Sequence, residues 1–119
     1  MELSLLKEST FTLLDYTERM RSQYAKAKDG GIKGNFFEEV RPFANEVKEV
    51  NDKWREWARV FVKERKPRYI NQNQIESAYD SIEMLSIQCF YPDTSRKRFV
   101  DQLKSVEFIL TSILNQKDS

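Results

Sequence analysis

This sequence of 119 residues predicts an all-α fold, an antiparallel up-down-up-down four-helix bundle with a long, Pro42-kinked second helix, on three observations. The first is the run Phe36, Val40, Phe43, Val47, Val50, Trp54, Trp57 and Phe61, whose four- and three-residue steps place large apolar side chains on one helical seam. The second is composition: 33% of residues are charged, with only three Gly and three Pro, as in helices with a solvated exterior. The third is that three other amphipathic segments follow or precede this one over short links. Four seams joined in this way are buried most simply by an antiparallel bundle.

The first helix is expected over about residues 3 to 28, on the stripe Leu3, Leu6, Thr10, Leu13, Thr17, Met20, Tyr24 and Ala27, and it should stop at Asp29-Gly30-Gly31. The second runs over about 36 to 66, with Asn35 as its N-cap and Glu38 and Glu39 in its first turns, where the helix dipole favours negative charge. At 1.5 Å per residue its seam is roughly 40 Å long. Pro42 lacks the N–H that would bond residue 38, but it shares the outermost heptad position with Glu49, Glu56 and Lys63, so a kink or short break is expected there. Pro67 ends the helix at Lys66.

The third helix is expected over about 72 to 91, capped by Asn71 or Asn73, each with Gln or Glu three residues on. Its core stripe is Ile75, Ala78, Ile82, Leu85 and Cys89. Tyr91 to Thr94 form a tight connection, with Asp93 or Thr94 as the next cap. The fourth helix, about 94 to 115, carries Phe99, Leu103, Val106, Leu110 and Ile113, and the tail from Gln116 should fray. One bundle end then gathers Leu3, Leu6, Trp54, Trp57, Phe61, Ile75 and Ile113, with both tryptophans largely buried. The other gathers Met20, Tyr24, Phe36, Val40, Leu85, Cys89 and Phe99. Residues 1–119 are read as one domain.

The runs Arg65-Lys66-Pro67-Arg68-Tyr69, Gln74-Ile75-Glu76, Leu85-Ser86-Ile87-Gln88-Cys89-Phe90 and Asp93 through Phe99 resemble the YppE-like family of small helical proteins from Gram-positive bacteria. The similarity extends back through Phe36-Phe37-Glu38-Glu39-Val40 and Pro42-Phe43. The resemblance implies a four-helix bundle of unknown function and supplies no catalytic or ligand-binding residues.

Twenty basic and 19 acidic residues leave a formal charge of +1, so no global field points to nucleic acid or an acidic membrane as partner. Cys89 is the only cysteine, which suits a reducing cytoplasm. Met1 to Lys7 lack the pattern of a signal peptide, and no apolar run approaches the roughly 20 residues of a membrane span. A cytoplasmic protein with no membrane attachment is expected. Catalysis is not. There is no His, which removes the usual general base and most zinc or haem ligation, and the seam positions are apolar or, at Thr10 and Thr17, hydroxylated. No cofactor or metal is expected.

Two basic clusters are candidates for anion binding: Arg65, Lys66 and Arg68, and Arg96, Lys97 and Arg98. In the antiparallel bundle they fall at opposite ends, roughly 30 Å apart, and each has a solvated ion-pair reading, the second against Glu38 and Glu39. Apolar side chains left over after the seams are buried favour a non-catalytic interaction module, with an unknown protein partner or a homodimer. These are Leu5, Phe11, Met84, Ile87, Phe90, Tyr91 and Phe108. The candidate partner-binding stripe is Met84, Ile87 and Tyr91, with Ile87 about opposite the core.

Overall fold

Local capping chemistry sets the helix boundaries in the computed structural model, which describes residues 3–117. Helix α1 spans Leu3–Gly30, α2 Arg41–Arg65, α3 Gln72–Gln88 and α4 Arg96–Leu114, and a π-helical turn at Phe36–Val40 leads into α2. Beyond α1, Gly31 takes the left-handed conformation at φ 63°, and its N–H donates to the Ala27 carbonyl at 2.8 Å. Asn35 caps the π-turn as expected, accepting from the Glu38 N–H at 3.0 Å. Asn71, not Asn73, caps α3 with a reciprocal capping box: its side chain accepts from the Gln74 N–H, and the Gln74 side chain accepts from the Asn71 N–H, both at 2.9 Å. Lys66 closes α2 in the left-handed region, at φ 46° and ψ 57°.

Each helix packs on its chain neighbours, and α1 against α4 closes the ring. Side-chain pairs give the directions. Trp54 donates its indole N–H to Thr10 at 3.0 Å and Arg19 pairs with Glu46 at 3.1 Å, so numbers rise along α1 as they fall along α2. Tyr24 stacks on Phe99 at 4.0 Å between ring centroids, whereas Thr17 and Arg21 reach Glu107 farther along α4. Arg59 holds Glu76 and Asn51 meets Tyr79 across α2 and α3. The bundle is therefore up-down-up-down. Its core runs through Leu6, Leu13, Met20, Trp54, Phe61, Ile75, Ile82, Leu85, Phe99, Leu103, Leu110 and Ile113, all fully buried.

Several expectations need correction. Phe36 is 51% exposed, not in the seam. The turn before Pro42 is wider than an α-turn, since the Val40 N–H bonds the Asn35 carbonyl at 3.1 Å, five residues back. Extra residues per turn take Phe36 out of line with Val40. The wide turn is also the break expected at Pro42, placed where the ring would otherwise crowd the Glu38 carbonyl. Trp57 and Val50 are only partly buried, while Asn51 and Ala58 are fully buried. A seam counted in heptads advances 3.5 residues per turn, but a straight α-helix turns every 3.6, so positions 51 and 58 lie nearer the inward centre than 50 and 57.

At the other joints, α4 is capped by Ser95, which accepts from the Arg98 N–H at 3.1 Å, and neither Asp93 nor Thr94 has that role. Helix α3 ends at Gln88, three residues before the expected end. Phe90, expected as surplus, is buried. The linker before α2 covers it: Gly34 donates its N–H to the Phe90 carbonyl at 2.9 Å. Gln116 is held rather than frayed, its side chain donating to Ser112 and its carbonyl accepting from Lys7.

Candidate functional site: the groove between α3 and α4

Among the buried polar side chains, Ser9 and Ser86 bond carbonyls of their own helices, whereas Thr10, Thr17 and Asn51 reach across to another helix. Thr10 and Thr17 bond carbonyls in α1 and then Trp54 and Glu107 across the core. Asn51 donates to the Tyr79 carbonyl at 3.0 Å and to the Glu83 carboxylate at 3.4 Å, and its own side-chain oxygen has no partner. Around it, Tyr79 donates to Asp52, Lys48 pairs with Asp52 at 3.3 Å, and the Arg55 guanidinium lies 3.8 Å from the Tyr79 ring centroid. Arg59 grips Glu76 with two bonds of 2.7 and 2.8 Å. The Tyr79 hydroxyl bond is the largest influence holding Asp52 below the usual carboxylate range, and the Arg59 bonds do the same for Glu76. These residues stitch α2 to α3. Cys89 is buried, and burial pushes its thiol up to about 12, which leaves it an inert side chain at neutral pH. Tyr16 is likewise raised to about 12, by burial and by the Glu46 carboxylate beside it.

An open concave surface lies on the other side of α3. Small side chains face each other there, Ser77, Ala78 and Ser81 on α3 and Ser105 on α4, and the two helices leave a groove between them. One cavity of about 590 Å³ is lined by these residues with Asn73, Lys104, Val106, Phe108 and Ile109 among others. A second, of about 560 Å³, continues it toward the start of α4 past Lys97, Arg98, Asp101 and Gln102, and shares Ser81 and Ser105 with the first. At their junction Gln102 donates to the Ser81 hydroxyl at 3.2 Å, tying the walls together. Phe108 stands at the edge of the groove, 65% exposed.

The candidate residues from the sequence are distributed unevenly with respect to this groove. Met84 is 38% exposed and lies on the α3 face that carries Ser77 and Ser81, at steps of four and three residues. Ile87, 46% exposed, is on the adjoining edge. Tyr91 lies beyond α3 and is partly buried against the core, so it does not extend the stripe. Arg65, Lys66 and Arg68 are exposed around the end of α2, and Arg96, Lys97 and Arg98 are exposed in the first turn of α4 at the opposite end of the bundle. Lys97 pairs with Asp101 at 3.0 Å, and Glu39 is engaged by the Asn35 N–H. The structure thus joins Lys97 and Arg98 to the groove and keeps the α2 cluster apart, while Met84 shares the α3 face of Ser77 and Ser81 without lining either cavity. The groove itself escaped the sequence reading. Its signal was the spacing of Ser77, Ala78 and Ser81 opposite Ser105, small residues where two helices meet.

The antiparallel bundle places the chain among small all-helical proteins, and its sequence places it more narrowly: residues 10–116 match the model of a bacterial domain of unknown function, DUF1798, and the chain belongs to that family. Among its relatives, the uncharacterised protein YppE of Bacillus subtilis is 29% identical over 111 residues, which cover 93% of this chain and 90% of that protein. The crystal structure of yppE superposes with a TM-score of 0.90 over 97% of this chain and 94% of that one. A protein of unknown function from Listeria innocua, 25% identical, gives 0.90 over 95% and 90%. A DUF1798 domain from Staphylococcus aureus, also 25% identical, gives 0.89 over 97% of each chain. The resemblance read from the sequence is thereby established.

Proposed function

We infer that this chain is a non-catalytic protein-interaction module of the cytoplasm, and that its contact surface is the α3–α4 groove with Phe108 at its edge and Met84 on the α3 face that leads into it. The observation that carries this reading is the groove itself, open to solvent with a largely exposed aromatic ring at its edge. Large apolar side chains grouped beside a concavity mark contact surfaces more often than scattered ones do. The core supports it from the other direction, since the buried hydroxyls bond structural partners and the single thiol is inert. A lone free cysteine suits the reducing cytoplasm, and no helix among the described residues is long and apolar enough to cross a membrane.

The competing reading, nucleic-acid or phosphate binding through a basic bundle end, has one exposed cluster at each end to draw on and no surface that unites the two. A photo-crosslinking amino acid at position 108 or 84, introduced in living cells, tests the preferred reading against one at Phe11, an exposed position on α1. The same discrete protein conjugate is expected from 108 and 84 and not from 11. Equal labelling at all three positions, or labelling at 11 alone, would overturn the assignment.

A further inference from the structure

The charge on the groove wall narrows what can bind there. The residues lining its two cavities include three cations, Lys97, Arg98 and Lys104, and one carboxylate, Asp101. Asp101 is already engaged by Lys97. No ion pair to a described carboxylate engages Arg98 or Lys104. Asp80 lies on the outer edge of α3, which leaves three positive charges against two negative ones around the groove. The excess is concentrated on the α4 side, and α4 also carries the exposed Phe108.

Its shape selects further. The walls are two antiparallel helices with small residues between them, the geometry into which a further helix packs. There is no strand among the described residues whose edge an extended peptide could join. From Arg98 to Phe108 the α4 wall rises roughly 15 Å, or about three turns of a docked helix.

We propose, on the reading that this groove is the contact surface, that it receives an amphipathic helix of a partner protein whose apolar stripe covers Phe108 and the Ser77–Ser81 wall and whose carboxylates face Lys104 and Arg98. Apolar contact with Phe108 supplies the central attachment, and the cations set the register and orientation of the helix. A second copy of this chain fits less well. It would bring the same excess of positive charge against itself.

Selection from a displayed library of helical peptides, about four turns long, with a fixed apolar stripe and randomised flanks, tests the occupant directly on the intact chain. Enriched peptides should carry a net negative edge. Their affinity should fall at least about tenfold against the double variant Lys104→Glu with Arg98→Glu, and should weaken as salt rises. Binding should also be lost on Phe108→Glu with Met84→Glu. All four positions are exposed, and unchanged melting of each variant separates lost docking from lost folding.

Neutral or basic enriched peptides that still require Phe108 would overturn the acidic occupant and leave the groove as a contact surface. A concentration-dependent dimer in sedimentation, abolished by Phe108→Glu, would assign the groove to a second copy and likewise overturn the proposal. Peptides indifferent to Phe108→Glu with Met84→Glu, or no enrichment over a scrambled library, would remove both the occupant and the groove reading.

Discussion

A methyl group added at residue 34 would meet the Phe90 ring and its Cβ at 2.8 to 3.2 Å, and the Cβ belongs to a side chain already buried under the linker. Neither side has room to yield. Gly34→Ala should therefore destabilise the protein by about 1–3 kcal/mol, the usual cost of overpacking. Chemical denaturation would check this, and an unchanged midpoint would mean that the linker does not press on Phe90. The tryptophans make a second comparison at this scale. Trp54 is fully buried with its indole N–H on Thr10, whereas Trp57 is partly buried. Trp54→Ala should cost about 3–5 kcal/mol, and Trp57→Ala distinctly less. Equal losses would place the two side chains in equivalent surroundings.

At the scale of elements, the pairing of α2 with α3 depends on ionised carboxylates held by Tyr79, Lys48 and Arg59. Asp52 and Glu76 both have folded pKa values below their ordinary ones. Their stabilising contribution is fully present above the unfolded-state values, roughly pH 4, and is lost as pH falls through the folded ones. Melting temperature should thus drop on acidification below that range. In Asp52→Asn with Glu76→Gln the acid limb should be shallower, and an acid limb of undiminished slope would assign the loss to other carboxylates. The elements themselves were legible where capping chemistry is local: Asn35 and Gly31 act as their residue types require, and Asn71 with Gln74 is one of the two caps expected for α3. The cap of α4 was expected at Asp93 or Thr94 and is Ser95, because all three residue types are good caps and only packing selects among them. The π-turn was hidden for a related reason. Pro42 signals a disturbance in the helix, but whether the chain answers with a kink or a wider turn depends on how Val40 and Phe43 reach the core.

For the whole molecule, the heptad steps and short links were enough to predict the bundle and its order of neighbours, since four such seams have few ways of being covered together. The functional surface was less legible. Sequence periodicity identifies which side chains a helix turns inward or outward, as it did for Met84 and Ile87, but a groove exists only between two helices. Its lining by Ser77, Ser81 and Ser105 follows from how α3 and α4 are set side by side. One feature of this packing also makes the protein its own optical reporter. Trp54 is sealed from water at the contact of α1 with α2, while Trp57, three residues along, retains access to it. Acrylamide should quench the fluorescence of one indole and spare the other, with the protected component emitting at shorter wavelength. A protein without introduced dyes can then reveal whether α1 and α2 separate before the remaining helices, through the moment at which the second indole becomes quenchable.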